Sequence, residues 1–109
     1  MPLANEGNLS ACTIETNCVF VEWEFENVEQ EYNKLIQLAS SLPRTTILEQ
    51  TNNYWHGVCR SLIFRFPDDL EILKVSGKRI IQVRSASRIG FGDLGVNKNR
   101  VQNLYRLMK

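Results

Sequence analysis

Residues 69–88, DLEILKVSGKRIIQVRSASR, carry the clearest structural pattern in the sequence. Apolar and polar residues largely alternate on both sides of residues 76–78, which is typical of two β-strands joined by a tight turn. The sequence therefore predicts strands over residues 69–75 and 79–88 that pair in antiparallel fashion.

The turn also sets which charges face each other. If residues 76–77 form a two-residue loop, Asp69 lies opposite Arg84, and if residues 77–78 form it, Glu71 lies opposite Arg84. Both registers predict a carboxylate beside Arg84.

The two-residue period of a strand divides the second arm of this hairpin into two faces. If the arginine face looks into a groove beneath helices, its guanidiniums suit a carboxylate or phosphate, with carboxylates holding their orientation. One face carries Gln82, Arg84 and Arg88, and the other carries Val83, Ser85 and Ser87.

A helix predicted to start at Asn97 would add backbone N–H donors to such an anion site. The alternative interpretation is that the arginines and carboxylates only neutralise each other at a sheet edge. The candidate ligand-binding residues are Arg60, Asp69, Glu71, Arg84, Ser85, Ser87, Arg88, Asp93, Asn97 and Arg100.

Residues 1–17 show no sustained period of apolar residues and are predicted to be an irregular N-terminal arm. One α+β domain is predicted over residues 18–109. From Cys18 the alternation indicates a strand, and Asn27 caps a helix that ends before Pro43. Residues 45–51 and 54–66 are predicted to be further strands, the second with a bulge or bend near Gly57 or residues 60–61 because thirteen residues are long for one strand.

The last helix is predicted to bury one apolar stripe. Its members are Val101, Leu104, Tyr105 and Met108. The order β-α-β-β-β-β-α with short connections favours an antiparallel sheet of about five strands with both helices on one face.

The 109 residues suit one domain with one core. No apolar run approaches the ~20 residues of a membrane span, and the first residues lack the pattern of a signal peptide. Residues 1–73 hold four basic and eleven acidic side chains, net −7, whereas residues 74–109 hold nine basic and one acidic, net +8. We expect the two parts to fold against each other and neutralise.

Cys12, Cys18 and Cys59 are an odd number of cysteines, which excludes a full disulfide framework and makes the reducing cytoplasm the expected location. A Cys12–Cys18 bridge stays possible for an exported protein. The spacing of those two is wide for a structural zinc site, and His56 differs in parity from Cys59, so a regular strand sends them to opposite faces. We predict no metal and no cofactor.

Gly90, Gly92 and Gly95 match the dinucleotide-binding spacing G-x-G-x-x-G before a helix. No parallel β-α-β unit surrounds them and no acidic residue follows about 20 positions later, so we expect a turn with positive φ in which Asp93 binds its own backbone. The aromatic residues lie in alternating apolar positions typical of a core, so nucleic acid is not expected as a partner.

Two longer segments resemble a known family. Residues 54–71, YWHGVCRSLIFRFPDDLE, and residues 83–101, VRSASRIGFGDLGVNKNRV, are similar to the domain-of-unknown-function 1499 family, as are residues 12–19 and 42–44. The resemblance implies a family found in bacteria, including cyanobacteria, and in plant plastids, so that a plastid or thylakoid-associated location is the alternative to the cytoplasm. It carries over no activity, cofactor or catalytic residue.

The sequence therefore predicts a non-catalytic binding or scaffolding module. Its arginine strand, the following loop and the last helix would bind a small anionic ligand or an acidic protein partner. The alternative is a small enzyme acting on an anionic substrate in the same groove. A water-filled pocket around Arg84, Arg88 and Asp69 would favour the enzyme, and a fully paired network beneath a flat surface would favour the module.

Overall fold

A computed structural model of the protein describes residues 7–13, 15–63, 65–89 and 95–109. The five strands form one antiparallel sheet in the spatial order first, fifth, fourth, third, second. Both helices pack on one face of it, so the predicted α+β fold and its element order are confirmed. The elements are β1 (Cys18–Glu24), α1 (Val28–Ser40), β2 (Thr45–Gln50), β3 (Tyr54–Arg60), β4 (Pro67–Lys74), β5 (Ile80–Ser87) and α2 (Val96–Met108).

Helix α1 begins where the sequence predicts. The Asn27 side-chain oxygen accepts a hydrogen bond from the Gln30 N–H at 3.2 Å, and the Gln30 side chain accepts one from Asn27 Nδ2 at 3.1 Å. The first bond satisfies one of the N–H donors that the first helical turn leaves free, and the second holds the two side chains together. The helix buries one stripe against the sheet, formed by Tyr32, Leu35, Ile36 and Ala39.

The predicted third strand, residues 54–66, is wrong in extent. Strand β3 ends at Arg60, a loop follows, and β4 already begins at Pro67. Apolar residues in that loop imitate the pattern of a strand although they are exposed, as with Leu62 and Ile63. The chain leaves the strand at residues 60–61, one of the two places where a bulge or bend is predicted. The register shift within the sheet lies in β2, between Ile47 and Glu49.

The β4–β5 hairpin adopts one of the two predicted registers. Glu71 lies opposite Arg84, and the ladder closes through a hydrogen bond from the Val75 N–H to the Ile80 carbonyl at 3.0 Å. Gly77 supplies the positive φ of 74° that the turn needs.

Helix α2 begins one residue earlier than predicted and without a side-chain cap. Its N-cap is Gly95 in the left-handed region with φ 81°, and Asn97 is completely buried in the first turn. The predicted stripe is present except for Tyr105, which is 37% exposed with its ring centroid 4.8 Å from that of Trp23. Gly90, Gly92 and Asp93 of the predicted turn lie outside the described residues.

The sheet has a helix side and an opposite face, which we call the outer face. Part of the outer face is covered by the segment that precedes β1. Leu9 is 4% exposed, packs against Tyr54 and Leu73, and donates its N–H to Gln82 Oε1 at 2.8 Å. Tyr54, Leu73 and Gln82 on this face are therefore buried although no described helix lies over them.

A disulfide joins Cys12 to Cys18 and ties the same segment to the edge strand β1. The bridge that the sequence leaves open is thus present. Cys59 is the remaining thiol, buried in the helix-side core, while His56 lies on the outer face, as their parity predicts.

The acidic and basic parts of the chain neutralise each other across the fold. Among the described residues, four ion pairs each join a residue before position 74 to one after position 73. No helix in the described part of the chain is long and apolar enough to cross a membrane. The four pairs are Glu29–Lys74, Glu71–Arg84, Asp69–Arg88 and Asp68–Arg100.

Candidate functional site

Strand β5 sends its polar side chains to both faces of the sheet. Val83 belongs to the core beneath the helices, so Ser85 and Ser87, which share its parity, face the helices as well. Arg84 and Arg88 have the opposite parity and lie on the outer face. The arginine face therefore does not look into a groove beneath the helices, the condition under which an anion site was considered, because the apolar residues of the strand mark the helix side.

Six side chains meet on the outer face, five from β3, β4 and β5 and one from Arg88, which directly follows β5. His56, Glu71 and Arg84 lie opposite one another on β3, β4 and β5. Tyr54 Oη donates to Glu71 Oε2 at 2.6 Å, and Arg84 Nη1 donates to Glu71 Oε1 at 3.4 Å. A carboxylate that is only 2% exposed needs such partners. We name as the outer-face cluster Tyr54, His56, Asp69, Glu71, Arg84 and Arg88.

Burial and hydrogen bonding keep the Tyr54 hydroxyl in its protonated form. Desolvation is the larger cause, and the hydrogen bond to Glu71 acts in the same direction, so the pKa of Tyr54 rises above its ordinary value. Tyr54 therefore acts as a permanent donor to Glu71.

Asp69 is held from two sides. His56 Nε2 lies 2.7 Å from its Oδ1, and Arg88 donates from Nε to Oδ2 at 2.8 Å and from Nη2 to Oδ1 at 2.9 Å. Burial alone would raise the pKa of Asp69, but the hydrogen bonds from His56 and Arg88 and their charges outweigh it and hold that pKa well below its usual range. The hydrogen bonds to Asp69 and its negative charge raise the pKa of Arg88. Because Asp69 stays ionised, the shared proton belongs to His56 Nε2.

Two buried nitrogen atoms of the outer-face cluster have no hydrogen-bond partner among the described residues. They are Nδ1 of His56 and Nε of Arg84. Buried polar atoms are nearly always hydrogen-bonded, so these two nitrogens are exceptions within the outer-face cluster. Both atoms belong to the row that crosses β3, β4 and β5.

A second polar network lies on the helix side and connects α2 to the sheet. Ser85 Oγ donates to Asn97 Oδ1 at 2.6 Å, and Asn97 Nδ2 donates to Ser87 Oγ at 3.0 Å and to the Asn17 carbonyl at 3.2 Å. Arg100 donates to Ser85, Asn97 and, at 3.0 Å, Asp68 Oδ2. We name as the helix-side cluster Asp68, Ser85, Ser87, Asn97 and Arg100.

The sequence model of a family described as a protein of unknown function (DUF1499) matches residues 8–108. The chain belongs to the DUF1499 family. The resemblance seen in residues 54–71 and 83–101 is thereby confirmed. No curated protein sequence matches the chain.

In this DUF1499 protein the predicted site residues fall into separate places. Asp69, Glu71, Arg84 and Arg88 lie in the outer-face cluster, whereas Ser85, Ser87, Asn97 and Arg100 are bonded to one another on the helix side. Asp93 lies outside the described residues. Arg60, the remaining candidate site residue, is exposed at the end of β3. Its carbonyl accepts a hydrogen bond from Arg44 Nε.

Sequence reasoning missed three members of these clusters, Tyr54, His56 and Asp68. The sequence shows that Tyr54 and His56 share one face of their strand. Placing that face beside Asp69 requires the β3–β4 register. That register depends on the end of β3, which the apolar loop obscures. Asp68 has no local signal, because its partner Arg100 is 32 positions away.

The described part of this DUF1499 protein contains no group of three or more His, Cys, Asp or Glu side chains placed to hold a metal ion. A cavity of about 520 Å³ opens at the turn between β4 and β5, beside Lys74 and Arg79. Another of about 530 Å³ lies between β1 and α2 next to the disulfide. Neither cavity is lined by a member of the outer-face cluster.

Proposed function

We propose that this DUF1499 protein is a non-catalytic binding module that uses Arg88 to hold an anionic ligand or an acidic partner. The observation that supports this is the setting of Arg88. Its side chain is 44% exposed, and Asp69 fixes it through two hydrogen bonds while His56 fixes Asp69. A guanidinium has five N–H donors, so the outward-facing ones have no acceptor among the described residues.

Fixing a guanidinium in one orientation lowers the entropy cost of binding a carboxylate or a phosphate. The surroundings add positive charge. Arg60 and Arg65 are exposed near the same end of the sheet, and within the described ranges neither lies within salt-bridge distance of a carboxylate. An acidic peptide or a small anion therefore meets one oriented guanidinium within a positive field.

The enzyme alternative rests on the His56–Asp69 pair. A carboxylate bonded to one ring nitrogen leaves the other to act as a general base. In this chain that other nitrogen, Nδ1, is buried in a side chain only 3% exposed, so protein surrounds it. His56 is the only histidine in the sequence, so modification by diethyl pyrocarbonate reports on it alone. Rapid modification of the folded protein would favour the enzyme, and protection would favour the binding module.

The binding proposal is tested by calorimetric titration with inorganic phosphate and with an oligo-glutamate peptide. We expect at least one of the two to bind the wild type and Arg79→Gln, which removes an exposed arginine at the opposite end of the sheet. Arg88→Gln should weaken that binding about tenfold, since a charge-assisted fork is lost. Absence of binding by the wild type, or equal binding by Arg88→Gln, would contradict the proposal.

The compartment is also a proposal. Disulfides persist in oxidising compartments and are rare in the cytosol. The Cys12–Cys18 bridge therefore weighs against the cytoplasm expected from the odd number of cysteines, and it favours export or the plastid-type alternative.

A further inference from the structure

The loop between β3 and β4 presents large apolar side chains to solvent. Its base is closed by a hydrogen bond from the Ser61 N–H to the Phe66 carbonyl at 3.1 Å and one from the Phe66 N–H to Ser61 Oγ at 2.9 Å. Beyond that base Leu62 is 68% and Ile63 is 78% exposed. Exposing large apolar side chains to water is unfavourable, so two adjacent exposed ones indicate an interaction surface.

Two more exposed apolar residues lie at the base of the loop. Phe66 is 47% exposed, and Ile89 is 53% exposed. Ile89 is adjacent because the Arg88 N–H donates to the Pro67 carbonyl at 3.1 Å. We name as the apolar tip Leu62, Ile63, Phe66 and Ile89.

Arginines surround the apolar tip, and two of them have strained backbones. Arg44 has φ 55° and Arg65 has φ 59°, the only non-glycine residues with positive φ in the described part of the chain. The left-handed region costs a residue with a side chain roughly 1 kcal/mol or more. Arg44 also bonds Arg60 in both directions, since Arg44 Nε donates to the Arg60 carbonyl and the Arg60 N–H donates to the Arg44 carbonyl. The chain thus places three arginines, Arg44, Arg60 and Arg65, at the border of the apolar tip, and the Arg44 guanidinium is fixed by its bond to the Arg60 carbonyl.

We propose that the apolar tip inserts into the surface of an anionic lipid bilayer while Arg44, Arg60 and Arg65 contact the headgroups. A projecting loop with apolar residues at its end suits a bilayer, which accepts a convex apolar surface without a shaped pocket. Cationic residues beside the inserted side chains meet the negative surface potential. This surface consists of residues other than Arg88. The inference therefore goes beyond the function proposed above and is tested independently of it.

Vesicle sedimentation tests this inference. The probes are vesicles of pure phosphatidylcholine and vesicles of phosphatidylcholine mixed with phosphatidylglycerol. We expect the wild type to bind the mixed vesicles, to bind the pure ones much less, and to lose binding as salt increases. Leu62→Ser combined with Ile63→Ser should abolish binding, whereas Leu107→Ser, an equally polar change at an exposed site about 15 Å along α2 from its start, should leave it unchanged.

Arg65→Gly separates charge from backbone strain. Glycine adopts positive φ freely, so this variant should melt at the same or a higher temperature than the wild type. It should nevertheless bind the mixed vesicles about fivefold more weakly, the effect of losing one arginine near a charged surface. Arg79→Gln serves as the charge control.

Failure of the wild type to bind the mixed vesicles would overturn the inference. So would unchanged vesicle binding by the double serine variant. Loss of capture of a protein partner in that variant, with vesicle binding intact, would assign the apolar tip to a protein instead. Phosphate and oligo-glutamate titrations address the Arg88 site independently, so the two proposals can fail separately.

Discussion

Asp69 makes part of the folding free energy depend on pH. An aspartate in the unfolded chain titrates near about 3.9, and in the folded protein the pKa of Asp69 lies well below that. Its ionised form therefore contributes stability that is fully present above about pH 4 and is lost as the pH falls toward the folded pKa. Urea denaturation should show a steeper loss for the wild type than for Asp69→Asn between about pH 4 and pH 2.

The control for this experiment is Glu24→Gln, which removes an exposed carboxylate at the end of β1. Its stability should follow that of the wild type across the same pH range. Parallel curves for the wild type and Asp69→Asn would show that the bonds from His56 and Arg88 do not hold the carboxylate as described.

Asn97 is the central residue of the helix-side cluster. Asn97→Ala leaves buried Ser85 and partly buried Arg100 without their shared acceptor, and an unsatisfied buried group costs about 1–3 kcal/mol. We expect the free energy of unfolding to fall by about 2–3 kcal/mol. Asn103→Ala changes an exposed asparagine of the same helix and should stay within about 0.5 kcal/mol of the wild type. Equal effects of the two changes would contradict a central role for Asn97.

At the scale of the element, β3 depends on the close approach of one ring to one glycine. A Cβ added at Gly57 would lie 2.5 Å from Trp55 Cη2. Trp55 is completely buried, and its Nε1 donates to Ser40 Oγ at 3.1 Å, so the ring has little freedom to move. Gly57→Ala should destabilise the protein by about 1–3 kcal/mol in thermal or urea unfolding.

Trp55→Phe removes the ring atoms that the new methyl group would meet. In that background the additional cost of Gly57→Ala should be much smaller, a coupling that a double-mutant cycle measures. An unchanged cost would place the strain elsewhere in the strand.

The elements were predictable where local chemistry decides them. Asn27 and Gln30 determine the start of α1, and the turn at Gly77 brings Glu71 to Arg84. The end of β3 was not predictable, because exposed Leu62 and Ile63 continue an apolar pattern for a reason unrelated to the core.

The sites were predictable only in part, because local sequence shows which residues share a face of a strand but not what covers that face. Parity correctly separates Arg84 and Arg88 from Ser85 and Ser87, but it does not by itself say which face the helices cover. Val83 carries that information, since an apolar residue at the parity of the serines indicates the helix side. Contacts such as Arg100 with Asp68 depend on packing between distant segments and have no counterpart in local sequence.

One disulfide attaches the segment before β1 to the sheet that it covers. Protein purified without reductant and then unfolded should show one reactive thiol, that of Cys59, and three after reduction. Reduction should also lower the free energy of unfolding by about 2 kcal/mol, as expected for a short closed loop. Three reactive thiols before reduction would contradict the bridge.

We propose above that Arg88, oriented by Asp69, binds an anion. The most direct test follows the arginine Nε–H signals by nuclear magnetic resonance while an oligo-glutamate peptide is added. The Arg88 signal, identified through Arg88→Gln, should shift in a saturable way while the Arg79 signal stays in place. A shift at Arg79 with none at Arg88 would place the acidic partner at the β4–β5 turn and would contradict an anion site at Arg88.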